Sequence, residues 1–314
     1  MKILLVDDQP DILEILSLAL EAMGNHNVFT ALSGNEALQL IAEAETPFDV
    51  FLFDIQMPNM TGIELCEKVR EQYQYEPIIM ITAMADQKRV DAAFNAGATD
   101  YVTKPVDFMD LKHRLSLAEK MSFMAKQLAK KNEQVSQTSP ELVTNVTFDL
   151  GEAIPIDNID GVLRVYAFEN YLMQLTKMQL FHTRVFILSV KNIQAIYSRC
   201  TGQEFVDEVT DIAEGISDSL DGHFPLIAYF GSGLFGIAVG NQFINSINVL
   251  TSDVSVAIET LGMVFRNGDP VEVQFELAEI QKESIRSFTD PQAFAKTMTQ
   301  QLRSIAATTD TFVA

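Results

Sequence analysis

Five side chains that can carry or support chemistry stand directly after apolar runs that are typical of β-strands. They are Asp7 and Asp8 after residues 3–6, Asp54 after residues 51–53, Thr82 after residues 78–81 and Lys104 after residues 101–103. Carboxylates grouped at one place repel each other unless a cation neutralises them, and their oxygens suit a hard divalent ion such as Mg²⁺. An aspartate beside such an ion and an ammonium can attack phosphorus, because both cations offset the charge of the phosphoryl group. We expect Asp54 to be that nucleophile. A helix N-cap is a plausible alternative for any one of these acids, but it does not explain the whole set in this order.

These side chains meet only if the strands before them lie side by side. Over the first 110 residues, short apolar runs alternate with helical patterns such as those at 12–23 and 63–71. Such alternation predicts parallel strands joined by crossover helices. We therefore expect a doubly wound α/β domain with a five-stranded parallel sheet, whose reactive edge lies where the strands end.

Length and charge indicate two domains and exclude several classes of function. The chain has 314 residues, enough for two domains. Residues 1–139 carry 12 basic and 21 acidic side chains (net −9), and residues 140–314 carry 10 and 22 (net −12). Neither half has the positive charge that binding to nucleic acid or to anionic lipid requires. We expect no nucleic acid partner and no membrane partner.

The start of the chain and its cysteines indicate a cytoplasmic protein. Acidic residues appear at positions 7 and 8, so the apolar start is not a signal peptide. No apolar run reaches the roughly 18 residues of a membrane helix. Cys66 and Cys200 lie far apart without CxxC spacing, which predicts two core thiols rather than a disulfide or a zinc site.

A helical connector and linker are predicted over residues 108–139. The apolar residues form a short heptad seam at Leu117, Met121, Met124, Leu128 and Val135, with Lys131 at the skipped position. One interpretation is a two-stranded connector that makes the protein a homodimer. The other is a single terminal helix that packs on its own domain. The sequence Ser-Gln-Thr-Ser-Pro at 136–140 then breaks the helix and is typical of a linker.

The motifs of the first domain resemble those of a known family. They are Asp7-Asp8, the segment Asp54-Ile55-Gln56-Met57-Pro58-Asn59-Met60-Thr61-Gly62, Thr82-Ala83 and Lys104-Pro105. Together they resemble the receiver domain of two-component response regulators, over residues 1–120. The resemblance implies that Asp54 accepts a phosphoryl group from a sensor histidine kinase or a phosphotransfer protein, and that Lys104 contacts the phosphate. The Mg²⁺ ligands that it implies are Asp7, Asp8, Asp54 and the backbone carbonyl of Gln56.

Two further positions match residues through which this family signals. Thr82 matches the switch hydroxyl and Tyr101 matches the switch aromatic. A phosphoryl group adds negative charge and acceptor oxygens, so Thr82 can move to bond it and vacate space for the ring. An ordinary half-buried strand aromatic is the alternative for Tyr101. The resemblance also implies a cis bond between Lys104 and Pro105.

Residues 150–314 show a second α/β pattern. Strands are predicted at 185–190, 226–230, 235–239 and 271–277, and helices at 168–176, 204–220, 254–265 and 291–304. Gly231-Ser232-Gly233, between two of these strands, indicates a hairpin. The segment 157–168 resembles the opening DxLTGLxNRxxF motif of diguanylate cyclase (GGDEF) domains, and it retains Asp157, Gly161 and Phe168. The resemblance implies a ferredoxin-like core.

The catalytic acids of the cyclase family are absent from this chain. Where the family reads DIDxFK, the chain has Ser189-Val190-Lys191-Asn192-Ile193-Gln194, without a carboxylate. At the acidic positions of the GGDEF signature it has Gly233 and Leu234, and at the ends of the inhibitory RxxD motif it has Gly222 and Pro225. Cyclisation of GTP needs metal to offset the triphosphate charge, so we expect an inactive domain.

The sequence therefore predicts a phosphorylation-controlled response regulator that is not an enzyme beyond its own phosphorylation. Its degenerate GGDEF-like domain, residues 150–314, is expected to signal through protein–protein contacts. The alternative is a receiver-regulated enzyme or binding module of the cyclic diguanylate pathway, or a domain that shares only a ferredoxin-like pattern. A transcription factor is disfavoured by the acidic charge. His182 and His223 have no companion cysteine or paired acid at metal-ligand spacing and are expected to be structural.

Overall fold

The computed structural model describes residues 1–83, 87–136, 149–156, 159–175, 182–240, 246–280 and 300. For residues 87 and 124–136 it describes the backbone alone. The chain divides into two compact units, Met1–Thr138 and Ser139–Ala314.

The first unit is a parallel sheet whose strands are joined by helices. Its elements are β1 (Lys2–Val6), α1 (Pro10–Met23), β2 (Asn27–Ala31), α2 (Gly34–Ala42), β3 (Val50–Asp54), α3 (Gly62–Arg70), β4 (Ile78–Thr82), α4 (Gln87–Asn95), β5 (Asp100–Thr103) and α5 (Phe108–Ser136). The strand order is β2-β1-β3-β4-β5, and every neighbouring pair is parallel. The predicted five-stranded doubly wound sheet is confirmed.

The core of this unit explains why its central strands are apolar throughout. Every residue of β3 and β4 is buried, because helices cover both faces of the sheet. On one face, Leu13, Leu16 and Leu20 of α1 pack with Leu111 and Leu115 of α5 against strand residues. The sheet is therefore a rigid support for the residues at its carboxyl edge.

Helix α5 runs from Phe108 to Ser136, as the predicted connector requires. Its first turns pack on the sheet, whereas Leu117 is 51% exposed and Phe123 is 63% exposed. The side chains of Met124, Leu128 and Val135 lie outside those that are described, so the dimer seam stays a prediction.

None of the helices in the described ranges is both long and apolar enough to span a bilayer.

The second unit contains a separate antiparallel sheet. Its elements are α6 (Val165–Gln174), β6 (Thr183–Val190), α7 (Ile193–Tyr197), α8 (Gly202–Asp218), β7 (Leu226–Tyr229), β8 (Leu234–Gly240), α9 (Ile247–Leu261) and β9 (Phe275–Glu279). The strand order is β7-β8-β6-β9, with antiparallel neighbours. The order β–α–β–β–α–β is that of a ferredoxin-like unit. The predicted hairpin at residues 231–233 is confirmed, since it joins β7 to β8.

Some predicted boundaries in the second unit were wrong. The helix predicted at 254–265 begins at Ile247 and ends before Gly262, which has a left-handed backbone (φ 62°). The last strand, predicted at 271–277, begins only at Phe275, because the Val271 N–H bonds Met263 O rather than the sheet. Helix α6 begins at Val165, three residues before the predicted 168–176.

Other predictions are limited by what the structure describes. Asp157 lies outside the described residues, as does the helix predicted at 291–304 apart from residue 300. Both cysteines are free. Cys66 is buried as predicted, but Cys200 is only half-buried, because it precedes α8 at the surface.

Candidate functional site

The predicted site residues lie at the carboxyl edge of the parallel sheet. Asp7 follows β1, Asp54 ends β3, Thr82 ends β4 and Lys104 follows β5. Because these four strands are neighbours in the order β1-β3-β4-β5, their ends come together. The structure thereby brings residues 97 positions apart in the sequence into direct contact.

Lys104 bridges two buried carboxylates at this edge. Its Nζ lies 2.6 Å from Asp7 Oδ2 and 2.5 Å from Asp54 Oδ1. The Asp7 side chain is fully buried, that of Asp54 is 5% exposed and that of Lys104 is 16% exposed. The ammonium supplies positive charge that offsets the repulsion between the two buried carboxyl groups.

The remaining oxygens of both carboxylates accept backbone hydrogen bonds. Asp54 Oδ2 accepts from the Gln56 N–H at 2.6 Å, and Asp7 Oδ1 accepts from the Gln9 N–H at 3.0 Å. Each aspartate is therefore held in one orientation by the loop that follows its own strand. The carboxylate of Asp54 is fixed at the edge before any partner arrives.

Burial and pairing shift the ionisation of this cluster. Burial raises the pKa of Asp54 above its ordinary value, and the hydrogen bond from Lys104 offsets this only in part. Burial works to lower the pKa of Lys104, but its hydrogen bonds to Asp54 and Asp7 raise it overall. Lys104 thus remains an ammonium at neutral pH.

The loop after β3 folds back on the strand end. The Gly62 N–H donates to Ile55 O at 3.0 Å, and a Cβ at Gly62 would lie only 2.1 Å from Asp54 O. Helix α3 then begins with a capping box, in which Thr61 and Glu64 satisfy each other's backbone N–H groups. Only glycine permits α3 to start this close to the carbonyl of Asp54.

Thr82 and Tyr101 are buried beside the cluster. Thr82 is 1% exposed, and its backbone oxygen accepts from the Lys104 N–H at 2.7 Å. Tyr101 is 6% exposed and contacts Phe94 edge to face, with 6.3 Å between ring centroids. Burial raises the pKa of Tyr101 to about 12. The ring points inward, so it is more buried than an ordinary half-exposed strand aromatic.

One contact near the site was missed from the sequence. Arg114 of α5 donates to Asp100 of β5 at 2.5 Å and to Asp110 at 2.9 Å. The pair ties α5 to the strand that carries Tyr101 and leads to Lys104. No motif signals it, because Asp100 and Arg114 meet only when α5 packs on the sheet.

The cis bond implied for Lys104-Pro105 is confirmed.

The residues at the edge suit a hard divalent cation. Asp8 follows Asp7 at this edge, and its Oδ1 is buried without a hydrogen-bond partner. As they lie, no three His, Cys, Asp or Glu side chains within the described ranges are close enough together to hold a metal ion. Lys104 Nζ donates to both Asp7 Oδ2 and Asp54 Oδ1, so an ammonium bridges two of these carboxylates. The carboxylate donors at this edge fit Mg²⁺ by their chemistry.

Residues 189, 191, 233 and 234 of the second unit, which the sequence motifs placed at the acidic positions of a cyclase, form no such cluster. Lys191 pairs with Glu276 at 2.7 Å, and both side chains are more than half exposed. Ser189 lies in β6, while Leu234 is buried at the start of β8. The Gly233 N–H donates to Tyr229 Oη at 3.2 Å within the hairpin. Neither an acidic pair nor an open cation site is formed by these residues.

Comparison with known proteins matches the first unit. Residues 3–116 match the family described as response regulator receiver domain. One similar solved structure is a putative response regulator from Chloroflexus aurantiacus, with 35% identity over 38% of this chain and 97% of that chain and a TM-score of 0.36. Another is a response regulator receiver domain protein from Methanospirillum hungatei, with 35% identity over 40% of this chain and 97% of that chain and a TM-score of 0.36. The chemotaxis protein CheY4 of Vibrio cholerae is also similar, with 35% identity over 37% of this chain and 97% of that chain and a TM-score of 0.35.

The sheet, its carboxyl-edge cluster and this match define residues 3–116 as a response regulator receiver domain. The chain is accordingly a response regulator of two-component signalling.

Proposed function

We propose that the protein is switched by phosphorylation of Asp54. The observation that carries this is the position of Asp54 Oδ1, held 2.5 Å from Lys104 Nζ at the carboxyl edge of the sheet. Asp54 would attack the phosphorus of a phosphohistidine on a sensor kinase or phosphotransfer protein. The P–N bond breaks, the P–O bond to Asp54 forms, and the imidazole leaves.

Several residues of this chain would support that transfer. Lys104 is displaced from Asp54 when the carboxylate becomes an acyl phosphate, and its ammonium can then pair with a phosphoryl oxygen. Mg²⁺ would be held by Asp7, Asp8, Asp54 and the backbone carbonyl of Gln56. When bound, it supplies charge that offsets the phosphoryl oxygens. Thr82 and Tyr101 would then report the modification by moving together.

The output side of the proposal is a cytoplasmic, non-enzymatic domain that acts through protein partners. It is supported by the absence of acids at residues 189, 191, 233 and 234, and by the net charge of residues 140–314, where 10 basic and 22 acidic side chains repel a triphosphate. Its likeness to a degenerate GGDEF domain rests on the sequence motifs and on the ferredoxin-like order of its strands. Pairing of α5 between two copies would make a homodimer.

Labelling by a small acyl phosphate with Mg²⁺ tests the central step. The wild-type protein should incorporate one phosphoryl group, and Asp54→Asn should incorporate none because amide oxygen is a poor nucleophile. Asp11→Asn is the matched control, since Asp11 is an exposed acid in the first turn of α1. Undiminished labelling of Asp54→Asn would refute the assignment.

Calorimetric titration of the full chain with GTP and Mg²⁺ tests the output side. We expect only heat of dilution. A saturable micromolar isotherm with nucleotide turnover would instead support a receiver-regulated enzyme of the cyclic diguanylate pathway.

A further inference from the structure

One side of helix α8 carries acids and no base. The helix runs from Gly202 to Asp218 and contains no Lys, Arg or His. At 3.6 residues per turn, its acids fall within an arc of about 120° and extend along about 20 Å of the helix. They are Glu204, Asp207, Glu208, Asp211, Glu214 and Asp218, which we call the acidic stripe.

The acidic stripe works against the stability of the helix that carries it. Acids three or four positions apart on a helix are neighbours, and like charges at that spacing repel each other. Asp218 is the last residue of α8, where the helix dipole disfavours negative charge. The folding of α8 therefore gives no reason for the stripe.

Glu208 is a buried member of the stripe without a hydrogen-bond partner. Helical spacing places it at the border between the other acids and the buried apolar side chains of Phe205, Val209 and Ile212, so it is only 7% exposed. Its Oε2 is buried and accepts no hydrogen bond. A buried polar atom without a partner is rare in folded proteins and requires an explanation.

The carboxyl group of Glu208 lies among the other acids of the stripe. Burial raises its pKa, and repulsion from Asp211, Asp207 and Glu204 adds to the rise, which brings the pKa to about 7. These three neighbours are all acids, and no cation among the described residues opposes them. The stripe therefore contains, midway along its length, a buried carboxyl oxygen that lacks a positively charged partner.

Two arginines that flank α8 do not supply this charge. Arg199 Nη2 is paired with Asp269 Oδ2 at 2.6 Å. Arg266 attracts the carboxylate of Glu204 but not that of Glu208. Within the described ranges, no three acids of the stripe are grouped closely enough to hold a metal ion, so an organic cation is the better match.

We infer that the acidic stripe is the docking site for a basic helix of a protein partner, with an arginine of that helix paired to Glu208. A helix matches the length of the stripe and can carry basic residues at the same spacing of three or four. Arginine fits Glu208 because its flat guanidinium donates two parallel hydrogen bonds to a carboxylate and is more weakly hydrated than an ammonium. The inference names the partner chemistry of the proposed output domain, so it rests on that part of the proposed function.

Calorimetric titration of the full chain with a synthetic peptide tests the stripe. The probe is an alanine-based helical peptide of about 18 residues that carries arginine at every third or fourth position. At about pH 8.5, where Glu208 is ionised, the wild type should bind this peptide saturably. The same peptide with citrulline in place of arginine keeps the shape without the charge and should not bind.

Glu208→Gln removes the charge of Glu208 with little change in shape. It should weaken binding about tenfold or more, because the arginine then meets no charged partner. Glu272→Gln is the matched control, since Glu272 is an exposed acid outside α8 and its loss should weaken binding less than about twofold. The difference should persist at about 0.3 M salt, where exposed charges are largely screened and buried pairs are screened much less.

Equal weakening by Glu208→Gln and Glu272→Gln would overturn the inference, because net charge alone would then explain the binding. The absence of saturable binding to the wild type would overturn it as well. The titration with GTP separates this result from the proposed function: a chain that binds neither GTP nor the peptide loses only the stripe. A chain that turns over GTP fails the proposed function, and the comparison of the two variants still decides the stripe.

Discussion

Replacing Glu208 by glutamine should stabilise the protein at alkaline pH. Glu208 lies on α8 and is only 7% exposed, beside the fully buried Phe205 and Val209. Its Oε2 is buried without a hydrogen-bond partner among the described residues. A carboxylate in this position has lost water and gained no donor in return.

The magnitude follows from the shifted ionisation of this side chain. Burial first, and then repulsion from Asp211, Asp207 and Glu204, raise the pKa of Glu208 from 4.5 to about 7. The folded state therefore binds the proton more tightly than the unfolded state. The resulting stabilisation is complete below pH 4.5, falls as the pH rises and is gone above pH 7. At about 1.4 kcal/mol per pKa unit, ionised Glu208 destabilises the folded protein by about 3 kcal/mol at most.

Glutamine has nearly the same shape and stays neutral at every pH. Glu208→Gln should match the wild type at pH 4.5 and exceed its free energy of unfolding by about 2 to 3 kcal/mol at pH 8.5. Urea unfolding followed by circular dichroism at both pH values measures this. The receiver domain is identical in both proteins, so its transition serves as an internal reference.

Glu214→Gln is the control, because Glu214 is an exposed glutamate on the same helix and its replacement changes the net charge equally. It should shift stability little, and by the same amount at both pH values. A gain for Glu208→Gln that does not grow with pH, or one that Glu214→Gln reproduces, would refute the reasoning.

Three further predictions concern the receiver domain and α5. Lys104→Met leaves the buried carboxyl groups of Asp7 and Asp54 without a counter-charge. Without Mg²⁺ the receiver should therefore lose about 3 kcal/mol of stability in thermal unfolding, and added Mg²⁺ should restore it. Gly62→Ala should cost about 2 to 3 kcal/mol in urea unfolding, because its Cβ would lie 2.1 Å from Asp54 O. Leu128→Glu should weaken dimerisation by about 3 kcal/mol or more in light scattering, since the seam would bury an unpaired charge.

Each of these changes has a comparison that isolates its cause. The wild type, in which Lys104 already neutralises the cluster, should gain less from Mg²⁺ than Lys104→Met. Gly24→Ala should cost less than Gly62→Ala, because the three atoms nearest to a Cβ at Gly24 all belong to the side chain of His26 rather than to the backbone. Gln127→Glu places the same charge outside the seam and should leave association unchanged. A prediction is contradicted if its variant and the corresponding comparison protein show the same effect.

The receiver site could be predicted because its signals are local in the sequence. Each of Asp7, Asp54, Thr82 and Lys104 directly follows an apolar run in the sequence, and the carboxyl ends of neighbouring parallel strands lie at one edge of the sheet. A helix cap that involves residues close in the sequence, such as the capping box of Thr61 and Glu64, can be predicted for the same reason.

The sequence by itself therefore determined the parallel sheet, the edge that carries chemistry and the hairpin at residues 231–233. Only the tertiary structure decided that Lys104 bridges Asp7 and Asp54, and that the side chain of Glu208 on α8 is buried. The clearest case is the hydrogen bond from the Ser232 N–H to Leu150 O, which joins backbone atoms 82 positions apart in the sequence. A backbone carbonyl leaves no mark in residue type, so contacts of this kind appear only when the chain is folded.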